Sequence, residues 1–210
     1  LGERPEVRDE VTARIPEKAG LGGSSADAGA VLRALCERWG VSVCDERVVA
    51  VARRVGADVA FFLDPRPGLY LGAGDVLERT FPEFSMPVVL VMPAVGGVST
   101  KEAYDEFDRA GEDPASYEVV CEALAAGDVA AMAANLFNNL APAACHLCGD
   151  VWVVSEWLAC QDGAIASMVT GSGACSFAIC ESGDAAERIA EAAREHHGWR
   201  AWAAIAGGAE

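Results

Sequence analysis

Residues 15–30 read IPEKAGLGGSSADAGA, a glycine-rich loop that runs straight into an amphipathic helix. This feature limits the chain more than any other. Gly20, Gly22 and Gly23 allow tight turns and let a ligand approach the backbone closely. The free N–H groups of the helix start carry partial positive charge and attract phosphate. From Ser24 onward, Ala28, Val31, Leu32, Leu35 and Trp39 follow helical spacing. Ser24 and Asp27 form an S-x-x-D capping box, and Gly40 is placed to end the helix. No GK[ST] follows the loop, so it is not a Walker A loop. Ser25 stands where the third glycine of a dinucleotide fingerprint belongs.

Composition narrows the ligand. The net charge is −16, with only two lysines, Lys18 and Lys101, and no basic run. That argues against nucleic acid and for a small phosphorylated molecule. Hydrophobic residues make up 52% of the 210, enough for a real core. No apolar stretch approaches the roughly 18 residues of a membrane helix, and no signal peptide is visible. Eight scattered cysteines fit reduced, buried thiols in a cytoplasmic protein. Cys145-His146-Leu147-Cys148 has metal-like spacing, but a structural zinc site needs four ligands and there is no second such pair. Core packing is the preferred reading, and no metal ligand is assigned. The chain starts at Leu1 rather than Met, which leaves room for a segment upstream.

Along the chain, residues 6–15 alternate weakly and read as a strand. A second helix is expected from Asp45, its N-cap, to Val55, with Gly56 as the stop. Residues 67–79 suggest a hairpin around Gly72-Ala73-Gly74. Pro82 and Pro87 bracket the expected domain break, giving domains 1–83 and 84–210. Val88–Met92 reads as a buried strand. Helices are expected near 100–109, 116–126, 128–135 and 150–160, followed by two strands around Gly171-Ser172-Gly173. A charged helix over 183–196 and a strand over 199–206 close the chain. Helices and strands mix without strict βαβ repetition, so the fold class is α+β.

Asp58 lies between a helix end and the apolar run VAFFL. Read alone it is an N-cap; desolvated beside the glycine loop it becomes a candidate with a perturbed pKa. Thr170-Gly171-Ser172-Gly173-Ala174 is either a tight turn or a second backbone wall for phosphates or an acceptor. His146, His196 and His197 form no triad, and the last two suit a helix C-terminus. Trp152, Trp157, Trp199 and Trp202 read as packing residues. Asn135, Asn138 and Asn139 read as caps or turns, with a weak case for a substrate role.

Together these strings resemble the GHMP kinases. Pro16-Glu17-Lys18-Ala19-Gly20-Leu21-Gly22-Gly23-Ser24-Ser25-Ala26 is similar to their P-x-x-x-G-L-x-x-S-S-A motif. The resemblance is strongest to the branch that acts on a cytidine-diphosphate-linked methylerythritol in the non-mevalonate isoprenoid route. Gly56-Ala57-Asp58-Val59-Ala60-Phe61-Phe62 resembles GADVPFF, and Gly72-Ala73-Gly74-Asp75 resembles GxGE. Val98-Ser99-Thr100 with Ala103-Tyr104 resembles VST–VY. Asn135-Leu136 resembles NDL, and Gly171-Ser172-Gly173-Ala174 with Phe177 resembles the GSG motif. Ala60 replaces a proline, Asp75 a glutamate, and the loop has one glycine fewer than that branch's GLGGGSS.

The resemblance implies two lobes, a ribosomal-protein-S5-like N-terminal lobe, here truncated, and a ferredoxin-like C-terminal lobe. ATP with Mg²⁺ would bind at Pro16, Glu17, Lys18, Ala19, Gly20, Leu21, Gly22, Gly23, Ser24 and Ser25, in a cleft between the lobes. Asp58 would be catalytic, and Gly171, Ser172 and Gly173 would face the substrate. The phosphoryl acceptor would be the 2-hydroxyl of 4-diphosphocytidyl-2-C-methyl-D-erythritol, and the protein a cytoplasmic monomer or homodimer. The family's catalytic lysine lies in a segment upstream of the motifs matched here, and neither Lys18 nor Lys101 aligns with it. Alternatives are another acceptor (homoserine, mevalonate or a sugar) or a non-catalytic nucleotide-binding relic.

Overall fold

A computed structural model describes residues 7, 8, 10–12, 15–111 and 114–207. They fall into two compact units. The first holds Gly22–Pro65, Tyr70–Glu78 and the described residues up to Pro16; the second holds Glu17–Leu21, Arg66–Leu69 and Arg79 onward.

In the first unit, helix α1 (Gly23–Trp39) stops at Gly40, whose left-handed φ of 62° lets its N–H reach the carbonyls of Cys36 and Glu37. Helix α2 (Glu46–Val55) begins at Asp45, as its sequence predicts; the Asp45 carboxylate accepts from the Arg47 N–H at 2.9 Å. The Arg47 guanidinium grips the same carboxylate and lowers its pKa to about 2. Two short 3₁₀ turns, Ala57–Val59 and Phe61–Leu63, follow. Val59 and Leu63 anchor them in a cluster with Cys36, Val48 and Ala52. Gly29, in the middle of α1, is required by this packing: a Cβ there would sit 2.5 Å from the Phe62 Cβ. Strands β1 (Gly68–Leu71) and β2 (Val76–Thr80) form the expected hairpin.

The second unit is built on strand β3 (Ser85–Met92), followed by α3 (Thr100–Ala110), α4 (Glu118–Ala126), α5 (Val129–Ala134), α6 (Ala141–Leu147) and α7 (Gly149–Ala159). Then come β4 (Ala164–Val169), β5 (Ser176–Cys180), α8 (Gly183–His197) and β6 (Arg200–Gly207). The antiparallel sheet has order β4-β5-β3-β6, with Val89 opposite Ala178 on one side and Ala203 on the other. Two split βαβ crossovers with this strand order make the ferredoxin-like arrangement.

The apolar run of β3 is explained by burial on both faces. Val89 and Val91 pack with Val154 and Leu158 of α7 and with Ile189, Ala190 and Ala193 of α8. Met86 and Val88 pack the other way, with Ala123, Met132 and Ala133 of α4 and α5. Leu158 is fully buried in the first of these clusters. Replacing it with alanine is expected to cost about 2–5 kcal/mol in chemical denaturation.

Several expectations need correction. The described part of the strand expected over 6–15 (7, 8, 10–12 and 15) is not in a strand, and the remaining residues lie outside the described set. Helix α6 is absent from the elements expected above; Pro142 lies in its first turn, a position that proline suits. Trp152 is 57% exposed rather than packed. Trp157 and Trp199 do pack against the core, edge to face at 5.4 Å, and His197 stacks on Trp199 at 4.1 Å. Apart from these corrections, the chain changes unit inside the glycine loop, at Glu17 and again at Gly22.

Candidate functional site

The reason for that change of unit is a set of backbone hydrogen bonds. The Lys18 carbonyl accepts from the N–H groups of Ala174 at 2.9 Å and Val98 at 3.4 Å. The Ala19 carbonyl accepts from Cys175 N–H at 3.1 Å. Thr170 donates through Oγ1 to the Gly20 carbonyl at 3.1 Å. Ala19 is 2% exposed and packs with Val98, Val169 and Ala174. The loop segment is therefore joined to the glycine turn that follows β4. Contact there is close enough to require glycine on both sides. A Cβ on Gly20 would lie 2.2 Å from the Thr170 carbonyl, and one on Gly171 would lie 2.7 Å from the Gly20 carbonyl.

The backbone of this loop is unusual. Gly20 has φ 72° and Gly22 φ 65°, and Lys18 takes a left-handed φ of 56° without being glycine. Such a conformation costs about 1 kcal/mol or more. It persists at Lys18 because two N–H groups hold the carbonyl in place. Pro16 is half-buried, Glu17 and Lys18 are exposed, and Leu21 packs beside Ala19.

The capping box expected at Ser24 and Asp27 is not formed. Helix α1 begins one residue earlier, with Gly22 as a left-handed N-cap and no side-chain cap bond. Ser24 is thus already inside the helix, and Asp27 lies beyond its first turn. That turn holds no acidic residue. The earliest helical bond is from Ala26 N–H to the Gly22 carbonyl at 2.8 Å. Among the described residues the N–H groups of Gly23, Ser24 and Ser25 have no acceptor, and the hydroxyls of exposed Ser24 and half-buried Ser25 lie alongside.

The turn at Gly171-Ser172-Gly173 is braced from behind. The Thr170 carbonyl accepts from Gly173 N–H at 2.9 Å. Ser172 is 7% exposed, and its hydroxyl lies 3.1 Å from that of Thr100. Asn138 donates through Nδ2 to the carbonyls of Val169 and Gly171, each at 2.8 Å. In the sequence Asn138 reads as a cap or turn with a weak case for a substrate role, and the NDL string matches Asn135-Leu136. Asn135 instead ends α5, donating to the Ala131 carbonyl at 2.7 Å. The string Asn138-Asn139-Leu140, one residue type away from NDL, was the available signal.

Asp58 sits in the first 3₁₀ turn of the first unit and is exposed, contrary to the expected desolvation. The apolar run turns Val59 and Leu63 inward, which leaves Asp58 on the solvent side. Its carboxylate neighbours the hairpin loop, where a Cβ on Gly74 would lie 3.8 Å from Oδ1. Arg53 donates to the Asp75 carbonyl at 3.0 Å and holds that loop to α2.

Cys145 and Cys148 pack beside Ala144 and Val151. Burial, with smaller contributions from Cys148 and Glu156, raises the Cys145 thiol's pKa. Burial pushes Cys175 up to about 12, so it stays a thiol at neutral pH. Among the described residues no three His, Cys, Asp or Glu side chains converge as a metal-ligand set. No helix of the described residues is long and apolar enough to cross a membrane.

Most of the chain is similar to known proteins. Residues 1–64 match the GHMP kinases N terminal domain, and residues 121–198 match the GHMP kinases C terminal family. A 4-diphosphocytidyl-2-C-methyl-D-erythritol kinase of Desulfitobacterium hafniense (strain Y51) is 35% identical over 205 residues, which are 95% of this chain and 69% of that protein. The chain belongs to the 4-diphosphocytidyl-2-C-methyl-D-erythritol kinase family. A member from Pelotomaculum thermopropionicum is 35% identical, with 90% of this chain and 66% of its own length covered. The chain thus spans about two thirds of these relatives. A crystal structure of 4-(cytidine 5'-diphospho)-2C-methyl-D-erythritol kinase superposes with TM-score 0.76 at 34% identity, covering 94% of this chain and 69% of that one. Homoserine kinase from Cytophaga hutchinsonii shares the fold, with TM-score 0.64 at 20% identity. The family consists of ATP-dependent small-molecule kinases of α+β fold, with a ferredoxin-like C-terminal part.

Proposed function

We propose that the protein transfers the γ-phosphoryl group of ATP to the 2-hydroxyl of 4-diphosphocytidyl-2-C-methyl-D-erythritol, giving ADP and the 2-phosphate, in the cytoplasm. The observation that carries this reading is the glycine loop of a family member. Its carbonyls are taken up by the protein, and it runs into an uncapped helix start with no acidic residue in the first turn.

Phosphoryl transfer needs positioning and charge stabilisation more than covalent chemistry from the protein. Backbone N–H groups between Gly20 and Ser25 hold the phosphate oxygens through the partial charge of α1. Pro16, Glu17, Lys18 and Ala19 fix the course of the loop. Mg²⁺ would neutralise phosphate charge; the fitting donors are the Ser24 or Ser25 hydroxyls, hard oxygen ligands beside the phosphates. Asp58, exposed and on a fixed turn, accepts or orients the proton of the attacking hydroxyl. Gly171, Ser172 and Gly173 present a second backbone edge to the reacting groups.

The test is ADP release with 4-diphosphocytidyl-2-C-methyl-D-erythritol, homoserine and mevalonate offered separately, run on this chain and on a version extended upstream to its native start. Release with the first alone is expected, and cytidine diphosphate compounds should inhibit it. Release with another acceptor would move the protein to a different GHMP substrate. ATP binding without release to any acceptor, in a chain shown to be full length, would indicate a nucleotide-binding relic.

A further inference from the structure

We infer that Asn138 is a positioning residue that turns the Ser172 N–H into a phosphate donor; the inference rests on the phosphate-loop reading above. The Asn138 side chain is fully used. Its Nδ2 donates to the carbonyls of Val169 and Gly171 at 2.8 Å, and its Oδ1 accepts from Leu140 N–H at 2.9 Å. Across a trans peptide the carbonyl and the next N–H point in opposite directions. Holding the Gly171 carbonyl on Asn138 therefore aims the Ser172 N–H away from Asn138.

The facing loop follows the same rule. The Gly20 carbonyl is held by Thr170 Oγ1, which directs the Leu21 N–H away. The Ala19 carbonyl is held by Cys175 N–H, which directs the Gly20 N–H away. Among the described residues, the N–H groups of Gly20, Leu21 and Ser172 have no protein acceptor. Ser172 is 7% exposed, so little of the residue beyond its unpartnered backbone edge is open to a ligand. The carbonyls of Ala19, Gly20 and Gly171 are thus taken up, while the N–H groups that follow them, those of Gly20, Leu21 and Ser172, are unspent. That polarity suits an anion and is wrong for a cation.

Asparagine is the residue this job needs. Aspartate has nearly the same shape but would set a carboxylate against two carbonyl oxygens and add negative charge near the bound phosphates. Alanine would leave both carbonyls without their donor.

The experiment is an ATP titration of the ¹⁵N-labelled 210-residue chain, following backbone amides, with Asn138→Ala and Asn138→Asp in parallel. In the parent, the Ser172 amide shifts with ATP together with those of Gly20 and Leu21. In Asn138→Ala the Ser172 response is lost and ATP affinity falls about tenfold. In Asn138→Asp it falls further, although aspartate is the closer isostere. A merely structural role predicts that affinity loss follows the loss in thermal midpoint in both variants and that the Ser172 response to ATP is kept. A silent Ser172 in the parent, while the Gly22 to Ser24 amides respond, would overturn the inference and leave the phosphate loop standing. No response in either segment would remove the phosphate-loop reading, and the inference with it.

Discussion

In the enzyme complete with its upstream segment, Asp58→Asn is expected to lower turnover by about 10²–10⁴-fold while leaving ATP affinity nearly unchanged. Asparagine keeps the shape of the side chain and its place on the 3₁₀ turn, but it cannot take a proton. The turn is set by Val59 and Leu63, both buried, so it does not depend on the carboxylate. Asp58 is exposed, and a substitution there should alter stability by no more than about 0.5 kcal/mol. Steady-state ADP release and an ATP titration on the same preparation check both halves. Turnover equal to the parent's would take Asp58 out of the mechanism. Loss of ATP binding in parallel with turnover would make it a nucleotide contact instead.

Gly20→Ala should be the most damaging single methyl group in the loop. The new Cβ would lie 2.2 Å from the Thr170 carbonyl, 2.8 Å from Gly173 N and 2.9 Å from the Gly173 carbonyl. All three are backbone atoms, so no rotamer change relieves the contact. A left-handed φ of 72° adds roughly 1–2 kcal/mol for a residue with a Cβ. The segments must separate, which breaks the Thr170–Gly20 bond and disturbs the Ala19–Cys175 bond. A loss of about 3 kcal/mol or more in chemical denaturation is expected, within the range for severe overpacking, together with a fall in ATP affinity of more than about tenfold. Gly40→Ala separates the two causes. Gly40 has a similar φ of 62° but nothing within 4 Å of a new Cβ, so it should lose only about 1 kcal/mol and keep ATP binding. Equal behaviour of the two variants would mean that the loop and turn are not interlocked.

Much of the site was legible because its signals are short-range. The order of the glycine loop, Asp58, the hairpin and the second glycine turn could be read from strings of a few residues. The capping box was misread because Ser24 and Asp27 have the right spacing for it. A left-handed Gly22 cap, which exposes more N–H groups, took the position instead. Asp58 was expected to be desolvated because an apolar run follows it. Successive 3₁₀ turns instead send Val59 and Leu63 inward and leave Asp58 outside. Asn138 was missed because its side chain bonds carbonyls 31 and 33 residues away.

The sequence alone determined the helix ends at Gly40 and Asp45 and the strand character of Val88–Met92. Each depends on bonds within one helical turn or on the burial preference of one segment. Tertiary structure decided which glycines cannot be replaced and where the carbonyls of residues 18–20 are spent. It also gave Asn138 its task, and it placed the Thr170 hydroxyl, 150 residues further along the chain, on the Gly20 carbonyl. The physical reason is that a backbone carbonyl carries no label for its partner. The partner is whichever donor the packed sheet and helices bring within about 3 Å of it.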